Sequence, residues 1–138
     1  MMPKLTTGAI HSDQRGLLRH NNDFDAIAVR RFYVLENQKL DFVRGWQGHK
    51  IEQRWFTAMK GSFEIRLIAV DNWENPSKDL ECLVYILTAE KLGILYVPAG
   101  YISSIQFLEE DGILLIMSDY LLGEIQDDYR YDINHFMM

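Results

Sequence analysis

Basic charge, cysteine, proline and long apolar runs are all scarce in this chain, and each scarcity removes a class of protein. Lysines and arginines number 14 against 20 acidic residues, for a formal net charge of −6. A nucleic-acid binder would show a basic face, so no nucleic-acid partner is expected. A single cysteine, Cys82, excludes an intrachain disulfide. It lies in the apolar run ECLVYIL and reads as a small buried hydrophobe rather than a nucleophile. The longest apolar runs, such as GILLIM, fall far short of the roughly 20 residues a membrane span needs. Nothing resembles a signal peptide. No membrane association is expected, and the cytoplasm is the expected compartment. Only three prolines occur, with no linker, repeat or low-complexity stretch, so one domain over residues 1–138 is expected.

A long amphipathic helix is also missing. In its place stand short β-like runs separated by turn signals. AIAVRRFYVLE, VRGWQGHK, RWFTAM, SFEIRLIAV, ECLVYIL, GILYV, SSIQFLE and GILLIMSDY follow one another at short, regular spacing. SFEIRLIAV alternates cleanly, with Phe63, Ile65 and Leu67 on one face and Ser62, Glu64 and Arg66 on the other. DNWENPSKD has the Asp, Asn and Pro of a turn. Seven or eight strands without helices predict an all-β antiparallel sandwich or barrel of the jelly-roll kind. The closing LLGEIQDDYRYDINHF reads either as a helical turn or as an irregular tail packed on the barrel.

The stretch VRGWQGHK carries the chemistry. In a strand, Gln47 and His49 point the same way. Strict alternation turns Arg44 to the opposite face, unless Gly45 supplies a bulge that brings all three inward. An imidazole titrating near 6.5 suits general acid–base work; the plainer role for His49 is a hydrogen bond inside the barrel. A metal is not expected. The ligands would be His49 with Glu52 or Gln53, too few for a first-row ion. Lys50 and Lys60 read as turn residues, and His11, His20 and His135 as surface residues. The run Glu109, Glu110, Asp111 reads as a solvated hairpin turn.

Several segments, in this order, resemble the cupin-fold sugar-nucleotide enzymes, the dTDP-4-dehydrorhamnose 3,5-epimerases and dTDP-4-keto-6-deoxyhexose 3,4-ketoisomerases. They are DQRG (Asp13 to Gly16), RRFYVLE, RGWQGHK, KGSFEIRLIAVD, VPAGYISS and SDYLLGEIQDDYRYDINHF. The resemblance implies a single-domain double-stranded β-helix, the cupin jelly roll, with the site inside and a homodimer as the assembly. It implies a nucleotide-sugar ligand, no cofactor, and a place in bacterial polysaccharide sugar biosynthesis. His49 would act as base or shuttle, and Gln47 would stabilise an enediolate oxygen. Arg44 and Arg54 would hold the pyrophosphate through bidentate bonds. Tyr33, Trp46 and Tyr101 would stack a base or sugar, and Ser103 would hydrogen-bond the ligand. The chain also departs from the family. The first family histidine falls on Gln47, which cannot take a proton. The later histidine falls on Ser103 or Ile102, and the acid tyrosine on Leu115. These losses leave open a degenerate relative that binds a nucleotide sugar without turnover, or a structural or regulatory cupin.

Overall fold

A computed structural model describes residues 1–37 and 39–137. The described residues form strands and no helix: β1 (Lys4–Thr6), β2 (Ala9–Asp13), β3 (Gly16–His20), β4 (Arg31–Leu35), β5 (Val43–His49), β6 (Arg54–Lys60), β7 (Ser62–Ala69), β8 (Cys82–Thr88), β9 (Ile94–Val97), β10 (Tyr101–Phe107), β11 (Ile113–Ser118) and β12 (Tyr129–Arg130). No helix is therefore long and apolar enough to cross a membrane. The strands make two five-stranded antiparallel sheets, in the orders β1-β9-β6-β11-β4 and β12-β5-β10-β7-β8. β2 and β3 form a separate hairpin. The expected all-β jelly roll is the observed fold.

The core lies between the two sheets, and period-two patterning puts it there. Phe63, Ile65 and Leu67 of β7 are fully buried and meet Phe56, Leu95, Ile105, Phe107, Leu114 and Ile116. Between β6 and β7, Gly61 takes the left-handed conformation at φ 77° that the tight turn requires. Asp71 ties the expected turn together by accepting bonds from the backbone N–H and hydroxyl of Ser77.

Each sheet also has an apolar outer layer. Trp46, Ile68 and Ile102 form one on the β5-β10-β7 sheet, covered by Phe136 and Tyr131 of the closing segment. That segment is thus an irregular tail with one short strand. His135, expected at the surface, is half-buried and takes a contact from its Nε2 to the Pro76 carbonyl at 2.8 Å. Cys82 is half-buried rather than buried, because its strand is the edge of the sheet. Trp55, Ile94 and Met117 form the outer layer of the other sheet, with Leu115 and Tyr96 against them. The β1 strand, the β2–β3 hairpin and β12 carry too little apolar alternation to announce themselves in the sequence.

Candidate active site

β5 carries an extra residue against β10. Ser103 pairs with Gln47, but Ile105, two residues on, pairs with Arg44, three residues back. That bulge spans Gly45 and Trp46 and restores Arg44 to the inner face, beside Ile105 of the core. Arg44, Gln47 and His49 therefore share one side of the sheet, as the glycine suggested. Gly48 allows the close approach that follows. A Cβ there would lie 2.2 Å from the Tyr101 carbonyl oxygen and 2.6 Å from the Ile102 Cα.

Two adjoining cavities open along this face. One, of about 480 Å³, is lined by Tyr33, His49, Glu52, Arg54, Asp127 and the loop Leu121 to Ile125, among others. The other, of about 340 Å³, is lined by Tyr33, Arg44, Gln47, Arg54, Ser103 and Arg130 over an apolar floor of Leu35, Phe56, Ile105 and Ile116. Tyr33, Gln47, Arg54 and Arg130 line both. Among the described residues, the wall of the smaller cavity has three arginines and no carboxylate, although the chain as a whole is acidic. Among the described residues, Arg44 donates there to a neutral amide, Asn37 Oδ1, at 3.0 Å.

His49 is 7% exposed. Its Nδ1 lies 2.6 Å from the Asp127 carbonyl oxygen, which can only accept, so Nδ1 carries the proton and Nε2 is bare. Nε2 is shielded from water and has no hydrogen-bond partner. Burial, and next the Arg54 charge, push the imidazole below its ordinary value of 6.5, against the opposing pull of Glu52 and Asp127. The ring is therefore a neutral base at neutral pH. Asp127 fixes more than the tautomer. Its carboxylate accepts the backbone N–H groups of Lys50, Ile51 and Glu52 at 2.9, 2.8 and 2.8 Å. It clamps the turn that leaves β5 and presents Glu52.

Glu52 is buried. Its Oε2 accepts Arg54 Nε at 2.6 Å and lies 3.6 Å from His49 Nε2, while Oε1 is 3.4 Å from Arg31 Nη2. Arg54 also donates to the Tyr33 hydroxyl at 2.5 Å. The Arg31 and Arg54 guanidiniums lie 5.6 and 5.7 Å from the Tyr33 ring centre. The Gln47 amide donates to Asp128 Oδ1 at 2.9 Å. Burial pushes the Asp128 carboxyl up, but the bonds from Gln47 and Arg130 outweigh it and hold it below the usual carboxylate range.

Of the residues singled out from sequence, Arg44, Gln47, His49, Arg54, Tyr33 and Ser103 come together at these cavities. Tyr101 pairs with His49 across the strands but packs against the core, its hydroxyl 3.9 Å from Met2 Sδ, and lines neither cavity. The Trp46 ring packs edge-on to Phe136 at 5.3 Å on the outer face. Leu115 also faces outward. Its neighbour Ile116 is the β11 residue that lines the cavity, directly across from Tyr33. The sequence reading missed Arg31, Asp127, Asp128 and Arg130, and gave Glu52 only as a metal ligand. Arg31 had a signal, since period two puts it on the face of Tyr33. Among the described residues, no group of His, Cys, Asp and Glu could hold a metal ion.

A two-sheet β-helix with a charged, histidine-bearing cavity inside one end defines a cupin-type barrel. The chain belongs to the family FdtA: WxcM-like, C-terminal, which matches residues 2–138. No curated protein matches the sequence. Solved structures do match its fold. A mutant of the 3,4-ketoisomerase QdtA from Thermoanaerobacterium thermosaccharolyticum, in complex with TDP-4-keto-6-deoxyglucose, is 22% identical with a TM-score of 0.71, over 94% of this chain and 87% of that one. The WlaRB TDP-quinovose 3,4-ketoisomerase from Campylobacter jejuni is 19% identical with a TM-score of 0.68, over 94% and 92%. The dTDP-4-dehydrorhamnose 3,5-epimerase from Bacillus anthracis str. Ames, with TDP and PPi bound, is 17% identical with a TM-score of 0.71, over 91% and 76%.

Proposed function

We propose that the protein binds a dTDP-linked 4-keto-6-deoxyhexose and moves its ketone to the neighbouring carbon, in the synthesis of a bacterial polysaccharide sugar. The observation that carries this reading is the carboxylate-free wall of Arg44, Arg54 and Arg130 beside a neutral buried histidine. Planar guanidiniums suit a diphosphate. In the reaction, His49 Nε2 takes the proton from the carbon next to the ketone, and the C–H electrons pass to the carbonyl oxygen as an enediolate. The Tyr33 hydroxyl, the Arg54 guanidinium and the second N–H of Gln47 stabilise that oxygen. The proton of the neighbouring hydroxyl passes to that oxygen, and the same imidazole returns its proton to the former carbonyl carbon, so that the neighbouring carbon becomes the ketone. Ile116 gives the β11 wall no proton donor, so the geometry favours this one-base ketoisomerisation over an epimerisation that needs an acid on the opposite face of the sugar. The solvent-shielded Nε2 supports a second reading, in which the ligand is held without turnover. The lone cysteine fits the reducing cytoplasm, and a homodimer is the assembly proposed.

The test is proton exchange. Incubated with a dTDP-4-keto-6-deoxyhexose in deuterated water, the protein should exchange the proton beside the ketone, followed by NMR. His49→Ala should lose that exchange. Absence of exchange above background in the unaltered protein removes the isomerase reading. In that case, thermal stabilisation by dTDP alone selects the binding reading.

A further inference from the structure

One carboxylate oxygen is shared by two nitrogens in this site. Glu52 Oε2 lies 2.6 Å from Arg54 Nε and 3.6 Å from His49 Nε2. The shorter contact is an ion-paired hydrogen bond. The longer one faces a bare nitrogen lone pair with an anionic oxygen, which repels it, so the gap stays open. Arg54 also lines the carboxylate-free cavity that holds Arg44 and Arg130. An anion entering that cavity competes directly with Glu52 for Arg54. We propose that Glu52 changes partner when an anion binds: the ligand draws the Arg54 guanidinium toward itself, and the freed Oε2 turns its charge to the His49 imidazole, steadying the positive charge the ring gains when Nε2 takes up a proton. The ligand's own charge thereby switches on the base, because Arg54 no longer opposes a positive imidazole and Glu52 now supports one. Glu52 is a positioning residue in this scheme, since it acts through His49. The scheme rests on the proposed nucleotide-sugar reading only for the identity of the anion.

All the groups that face His49 bear on this. Arg54 of β6 disfavours its charged form, while Glu52 of the turn and Asp127 favour it. Asp128 interacts with it through space, and Arg31 of β4 stands behind Glu52. Tyr101 of β10 pairs with it across the sheet. Of these, only Arg54 opposes a positive imidazole and also lines the arginine cavity, so only its displacement couples anion binding to His49.

An NMR pH titration of the His49 imidazole in the full chain, with and without inorganic pyrophosphate, reads the switch without any turnover. Pyrophosphate should raise the proton affinity of His49 about tenfold or more. Arg54→Gln should show raised affinity already in the free protein and little further change with the anion. In Glu52→Gln, the anion should produce little of the rise. An equal rise in Glu52→Gln would mean that the anion acts through space, and would overturn the proposal. So would pyrophosphate binding that leaves His49 unmoved, or failure of pyrophosphate and dTDP alike to bind. If Glu52→Gln does not fold, the Arg54→Gln result decides. A response to pyrophosphate with no exchange of a keto sugar would leave the switch standing and remove only the isomerase reading.

Discussion

At the scale of single residues, burial decides what His49 can do, and it leaves a mark on stability. In the unfolded chain the imidazole titrates near 6.5, and in the folded chain it titrates lower. Between those two values the unfolded state binds the extra proton, so stability falls as the pH drops through that window. Above about 6.5 this contribution is fully present. His49→Gln should therefore flatten the dependence of Tm on pH between about 7 and 5.5, as read by thermal melts. Equal slopes in the two proteins would show that another group titrates there. Arg44 is a cleaner probe of binding, because among the described residues its hydrogen-bond partner is the neutral Asn37. Arg44→Ala leaves no buried charge behind. Losing a charged hydrogen bond to phosphate costs about 1.5–3 kcal/mol, so dTDP affinity should fall by roughly tenfold to a hundredfold in calorimetry while Tm moves little. A large drop in Tm with unchanged affinity would assign Arg44 to holding the segment at Asn37.

At the scale of elements, the β5 bulge and the Asp127 clamp build the site, and only the first was legible in the sequence. Gly45 beside an arginine on the wrong face of an alternating strand is a readable conflict, and a bulge resolves it. Asp127 gave no such signal. It sits in an acidic stretch with no apolar period, and the backbone N–H groups it satisfies lie 75 to 77 positions away. The partners of Glu52 were similarly hidden, since Arg31 comes from a strand 21 positions earlier. The alternating strands of the core were legible because burial on one face enforces the period. The β2–β3 hairpin was not, because it buries neither face. Gly48 provides the test at this scale. A methyl group there meets backbone atoms of β10 that cannot swing aside, so Gly48→Ala must push β5 off β10. Overpacking of this kind costs about 1–3 kcal/mol. The melting temperature should fall by several degrees, and Gln47 and His49 should lose their positions with it. Unchanged stability and unchanged dTDP affinity would show that the two strands can separate freely.

At the scale of the whole molecule, the β2–β3 hairpin stands out because it rests on neither sheet. Its strands pair only with each other, and Leu17 and Leu18 are 62% and 59% exposed. An isolated two-stranded hairpin is marginal in water, so a surface for this arm to dock on would stabilise it. A second copy is the partner we propose, since the symmetry of a homodimer lets each arm cover the other subunit. The open edge at β8, with Val84 and Ile86 exposed, offers an apolar surface to receive it. Light scattering after gel filtration should give twice the chain mass of 16.2 kDa. Leu17→Asp together with Leu18→Asp should give the monomer, with the core strands still folded by circular dichroism. Each chain carries a net charge of −6, so moderate salt should strengthen the association by screening like charges. A monomer in the unaltered protein at micromolar concentration, at low and moderate salt alike, would rule out this assembly. The arm would then need a different partner.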